Sequence, residues 1–145
     1  MIGLLQRVRE ASVTINGDFV AVIGRGLLVF VAVTRDDTEA DVARLTERIL
    51  SYRVFPDDQD RMNLGLADLN LELLLVPQFT LAADTRKGRR ASFSHAASPE
   101  RGSALFELML KLCRERLPRV ESGVFGAHMQ VALVNDGPVT FWLES

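Results

Sequence analysis

The sequence predicts an α+β fold: one domain spanning residues 1–145, with a mostly antiparallel, barrel-like β-sheet and two main helices. Three observations predict it. Residues 2–33 alternate apolar and polar positions or run continuously apolar between turn signals, as strands do. Two later segments carry apolar residues at helical spacing behind recognisable caps. The last twenty residues return to short apolar runs interrupted by Asn135-Asp136-Gly137-Pro138.

Taken in order, the strand Leu4–Val8 opens the chain, and Val13 and Ile15 alternate with Ser12 and Thr14 at the period of a half-buried strand. Asn16-Gly17-Asp18 predicts a hairpin, because Asn and Gly tolerate positive φ, and Phe19–Ile23 should return antiparallel. Gly24-Arg25-Gly26 turns the chain into Leu27–Val33, apolar enough for burial on both faces. A helix follows, with Thr38 as N-cap, Asp41 in its first turn and a stripe of Val42, Leu45, Ile49 and Tyr52, ending by Pro56. Leu71–Leu81 reads as one long strand, and residues 82–97 as a basic loop containing glycine. Ser98 caps a second helix with Pro99 at its first position and Leu105, Leu108, Met109 and Leu112 on its buried stripe, stopped by Pro118. Strands Gly126–Val134 and Val139–Glu144 close the chain around a turn at Asn135–Pro138.

Composition limits the function. With 48% hydrophobic residues over 145, a core can form without staples, and the single Cys113 excludes an internal disulfide and a Cys-rich zinc site. No apolar run reaches the roughly 20 residues that span a bilayer. Met1-Ile2-Gly3-Leu4 shows no basic n-region or cleavage site, so a soluble, cytoplasmic protein is expected. A net charge of −2 is not the footprint of a protein that coats nucleic acid by charge alone. RNA contact would need a local patch, and Arg86-Lys87-Gly88-Arg89-Arg90 provides one. His95 and His128 belong to no cluster at ligand spacing and no phosphate-binding glycine motif occurs, so neither a metal nor a cofactor is expected.

Two segments invite chemistry. In Pro77-Gln78-Phe79-Thr80-Leu81, a proline ends a buried strand; the segment can be strand alone, with Phe79 and Leu81 turned to the core, or part of a site. Thr80 as a nucleophile would need an adjacent base, and only His95 and His128 are available. Gly137-Pro138 reads either as a plain turn or as a cis step held at a site. Arg7 fits a solvated outer face or a positioning role, Met129 fits core packing beside Val131 and Leu133, Arg86–Arg90 fit a solvated loop or an RNA contact, and Cys113 fits an inert core position.

These segments, with Leu5-Gln6-Arg7-Val8, Ala11-Ser12-Val13, Met62-Asn63-Leu64, Ala82-Ala83-Asp84-Thr85, Ser98-Pro99 and Phe141-Trp142-Leu143, make the chain similar to the D-aminoacyl-tRNA deacylases over nearly its whole length. That family removes D-amino acids, and glycine, wrongly esterified to tRNA. The resemblance implies a homodimer in which a cis Gly137-Pro138 enters the partner's site. There Gly137, Pro138 and Val139 would face the substrate and reject L-enantiomers sterically. It implies an ester site at Gln78, Phe79 and Thr80 acting through backbone N–H groups, with the base supplied by the ribose 2′-hydroxyl. Phe125 and Met129 would line the pocket of the terminal adenosine, Arg7 would orient the Gly-Pro segment, and Arg86, Lys87, Arg89 and Arg90 would meet tRNA phosphates. Pro77 stands where the family usually has serine, so no serine hydroxyl can act there, and Ala91 where it often has proline. Two rivals remain: a non-catalytic tRNA-binding module, and a side-chain hydrolase using Thr80 with His128.

Overall fold

A computed structural model describes residues 1–145. Eight strands and two helices follow in the order β1 (Ile2–Ile15), β2 (Asp18–Ile23), β3 (Gly26–Ala32), α1 (Glu39–Ser51), β4 (Phe55–Pro56), β5 (Met62–Leu64), β6 (Glu72–Pro77), a 3-10 turn (Phe79–Ala82), α2 (Pro99–Arg114), β7 (Val120–Ser122) and β8 (Gln130–Glu144). No helix is long and apolar enough to cross a membrane.

The 14-residue β1 organises the sheet. Its first half pairs with β3, its second half with β2, and its whole length with β8, all antiparallel. The chain then joins β6 to β3 and β7 to β6 in parallel. The sheet is therefore mixed, and it curls into a nearly closed barrel whose margins are tied by Arg119 donating to the Val22 carbonyl at 3.0 Å and Gly24 N–H donating to the Glu72 carboxylate at 2.7 Å. The predicted hairpin is present, with Asn16 and Gly17 at φ of 50° and 85°.

The period-two pattern sorts side chains to two faces. Leu5, Val29, Val31, Leu73, Leu75 and Leu143 meet Val42, Leu45, Ile49, Leu105, Phe106 and Met109 of the helices. Val8, Ala11, Val13, Ala21, Ile23, Leu28, Leu74 and Val76 fill the inside of the curl. Both helix starts follow the sequence. Thr38 donates to the Asp41 carboxylate from its N–H at 2.9 Å and its hydroxyl at 2.7 Å, and these bonds hold the Asp41 carboxyl down to about 2. Ser98 Oγ accepts from Arg101 N–H at 3.3 Å.

Three expectations need correction. The strand expected to Leu81 stops at Pro77, and Phe79–Ala82 form a 3-10 turn. The proline supplies no ladder donor, Gln78 N–H makes the last cross-strand bond, to Val31 at 2.7 Å, and Ala83 N–H closes back on Thr80. Phe79 is consequently more than half exposed rather than core. Asn135–Pro138 is not a hairpin either. Both halves of β8 run along β1 in one direction, and the segment is a bulge: β1 advances from Gln6 to Val8 while β8 covers Thr140 to Asn135. Finally, both helices end before the prolines thought to stop them, at Ser51 and Arg114, leaving room for the β4–β5 hairpin and for β7.

Candidate active site

Strands β3 and β6 end side by side, with Val31 opposite Pro77. Beyond them the chain opens a cavity of about 260 Å³ lined by Val31, Val33, Pro77, Gln78, Phe79, Ala97, Ser98, Pro99, Gly102, Phe106, Phe125 and Gly126. The start of α2 forms one wall because Gly102 carries no side chain: a Cβ there would stand 3.2 Å from Phe125 Cζ. A largely apolar wall with a few polar groups at its rim suits a planar, partly polar ligand.

Of the predicted site residues, the fold brings Gln78, Phe79 and Phe125 to this cavity. Thr80 is exposed beside it, its hydroxyl accepting from the Gln78 side-chain amide rather than facing a histidine. In a 3-10 turn the first N–H groups have no acceptor within the turn, so those of Phe79 and Thr80 are available to a ligand. Met129 lies behind the wall rather than on it. Its sulfur accepts from Val124 N–H at 3.3 Å, and it is half-buried against the core inside the curl, as Val131 and Leu133 are.

The Gly-Pro segment is elsewhere. Gly137 and Pro138 occupy the β8 bulge, joined by a cis peptide bond, with Gly137 at φ 132°. Arg7 holds that bulge: its guanidinium donates to the Asp136 carbonyl at 3.0 Å and to the Val54 carbonyl at 2.6 Å. Its side chain is only 14% exposed, so it does not lie on a solvated outer face. Asn135 reinforces the bulge, accepting from Val139 N–H at 3.1 Å and donating to Thr140 at 2.8 Å. Val139 packs against the helix-side core. Arg7 is level with Leu27, whereas the cavity begins at Val31. Four residues along a strand is roughly 13 Å, and strand β1 lies between β8 and β3, so the bulge does not reach its own protomer's cavity.

Lys87, Arg89 and Arg90 are exposed in the loop between the 3-10 turn and α2. Arg86 differs, for it forks onto Asp84 at 2.9 and 2.6 Å and holds that carboxyl well below the usual carboxylate range. Cys113 is buried, and desolvation pushes its thiol up to about 12, which removes it as a nucleophile at neutral pH. Sequence reasoning missed the walls Val31, Val33, Phe106 and Gly102, and it missed Phe93, whose ring lies 5.0 Å from that of Phe79. A glycine inside a helical pattern was the available signal for Gly102.

A family model described as D-Tyr-tRNA(Tyr) deacylase matches residues 4–144. The chain belongs to this family. It is 63% identical over 145 residues to a D-aminoacyl-tRNA deacylase of Alkalilimnicola ehrlichii, covering 100% of this chain and 97% of that one. It is 51% identical over 144 residues to a D-aminoacyl-tRNA deacylase of Escherichia coli O1:K1 / APEC, covering 99% of each. Among solved structures, the c-Myc DNA Unwinding Element Binding Protein superposes with a TM-score of 0.95 at 36% identity, covering 100% of this chain and 99% of that one. A structure titled as a probable eukaryotic D-amino acid tRNA deacylase superposes with a TM-score of 0.88 at 19% identity, covering 99% and 98%, and speaks for the fold alone. The deacylase family is thus matched along the same stretch of chain that builds the cavity.

Proposed function

We propose that this chain is an ester hydrolase that cleaves D-aminoacyl-tRNA, and glycine mischarged on tRNA, to free amino acid and tRNA, a chiral proofreading step in translation quality control. The observation that carries this reading is the cavity at the ends of β3 and β6, bordered by Gln78 and Phe79, in a chain matched end to end by deacylases.

In this reading the terminal adenosine enters the apolar cavity against Phe125, with Met129 supporting the wall from behind. The ester carbonyl then sits at the 3-10 turn. Water, deprotonated with help from the ribose 2′-hydroxyl, adds to the carbonyl carbon. The oxyanion is met by N–H groups of Phe79 and Thr80, each such donor being worth about 2.7–4 kcal/mol in acyl transfer. The C–O bond to the ribose breaks and its oxygen takes up the proton. Nothing in the step needs the Thr80 hydroxyl as nucleophile, and that hydroxyl is already engaged by Gln78.

The bulge is too far along its own sheet to guard this site, so the reading requires a second copy of the chain to deliver Gly137, Pro138 and Val139. Main-chain atoms there would leave room for the hydrogen of a D-substrate and clash with an L-side chain; each tenfold of discrimination needs about 1.4 kcal/mol. Glycine, with no side chain, passes. Arg7 keeps the bulge in place, and Lys87, Arg89 and Arg90 meet tRNA phosphates. The test is hydrolysis of D-tyrosyl-tRNA and L-tyrosyl-tRNA under matched conditions. Release from the D-ester with the L-ester intact is expected; equal rates overturn the filter, and an intact D-ester overturns the enzyme.

A further inference from the structure

Phe93 is a large apolar ring, 43% exposed, beside an already exposed Phe79. Nothing in the protein's own packing accounts for this, and the loop that carries it is not loose. Asp84 and Ser92 exchange backbone hydrogen bonds at 2.8 and 3.0 Å, Arg35 N–H donates to the His95 carbonyl at 2.9 Å, and Ala97 N–H donates to Val33 at 3.1 Å. Phe93 is held between those clamps with its ring tilted 50° to that of Phe79. The Asp84–Ser92 bridge also folds residues 85–91 into an excursion that leaves and returns next to Phe93. Its exposed Lys87, Arg89 and Arg90 form none of the protein's ion pairs, since Arg86 alone is taken by Asp84.

We infer that Phe79 and Phe93 form a stacking platform for the unpaired nucleotide that precedes the one in the cavity, with Lys87, Arg89 and Arg90 on its phosphates. The inference rests on the deacylase reading and extends it to a second nucleotide subsite. The chemistry selects the occupant. A pair of aromatic faces beside a run of cations matches a single strand, in which bases splay out to stack while the backbone tracks positive charge. A duplex keeps its base faces covered and offers none to Phe93. Phe79 belongs to both subsites, bordering the cavity on one side and carrying Phe93 on the other, so successive bases can stack without a break.

The test is equilibrium binding of the trinucleotide rCrCrA and of adenosine to the full chain, as wild type, Phe93→Leu and Phe93→Trp. Wild type should bind the trinucleotide about tenfold or more tighter than adenosine. Phe93→Leu should lose most of that margin. Phe93→Trp should keep it, with its added indole fluorescence quenched by the trinucleotide beyond any change at Trp142 in wild type. Equal wild-type affinities, an undiminished margin in Phe93→Leu, or an unquenched indole would each overturn the platform. If Phe93→Leu does not fold, the Phe93→Trp signal decides. The two readings fail separately: a Phe93-dependent margin in a protein that leaves D-esters intact sinks the catalysis alone, whereas hydrolysis without a margin sinks the platform alone.

Discussion

Gly137 sits at φ 132°, where L-residues are rarely found, and a Cβ built on it would lie 2.7 Å from Val139 Cγ2, 3.0 Å from Val139 N and 3.2 Å from an Arg7 guanidinium nitrogen. Backbone conformation and packing therefore both demand glycine, and the Arg7 contact links that demand to the hydrogen bond on Asp136. Gly137→Ala is expected to lower stability by roughly 1–3 kcal/mol from backbone strain and, by pushing Arg7 off Asp136, to let the bulge shift. In the proposed reading a shifted bulge guards its site less well, so discrimination between D- and L-tyrosyl-tRNA should narrow. A urea melt and paired hydrolysis assays read the two effects. A variant with the wild-type midpoint and unchanged discrimination would show that the bulge tolerates a side chain.

Helix α2 makes the corresponding argument at the level of an element. An interior glycine costs a helix roughly 1 kcal/mol relative to alanine, yet Gly102 lies in the turn that faces the cavity, where its missing Cβ is the space Phe125 occupies. Gly102→Ala should therefore leave the thermal midpoint near wild type, intrinsic propensity offsetting crowding, while Phe125 is driven into the cavity and KM for the ester rises. A fall in kcat with KM unchanged would mean that the Phe125 wall does not bind the nucleoside. The caps and stripe of such helices were legible in the sequence because Ser98, Pro99 and the Leu105–Met109 spacing are local signals. The strand end at Pro77 and the bulge at Asn135–Pro138 were not, because each is decided by a distant partner. Val31 takes the Gln78 N–H, and β1 is long enough to pair with both halves of β8. Strand β7 escaped for the same reason: three residues carry no period, and Leu73–Leu75 supply the pairing. In the site, Gln78 and Phe79 could be read from the block they stand in and Phe125 from the family resemblance alone, whereas Val31, Val33 and Phe106 look like any core residue until the ends of β3 and β6 are seen together.

Across the whole molecule, the helices cover only one side of the strands. On the other side Trp142 of β8, Leu4 of β1 and Phe30 of β3 are direct cross-strand neighbours, forming an apolar row; Leu4 and Phe30 are half-buried, Phe30 against the core inside the curl, and Trp142 is 48% exposed. The same β8 leaves its outer edge unpaired over 15 residues and carries the Gly137-Pro138 bulge, which cannot reach its own cavity. A long exposed edge beside an apolar row is a surface that proteins normally cover. In the proposed reading both facts are answered by a second copy that buries the row and places its bulge at the cavity. Trp142→Asp should then convert dimer to monomer in sedimentation and abolish D-ester hydrolysis at the same time, although Trp142 is not part of the cavity lining. Wild-type activity per chain should likewise fall on dilution in step with the dimer fraction. A fully active monomer, of either the variant or the diluted wild type, would place the chiral filter within one protomer and remove the need for the cross-subunit arrangement.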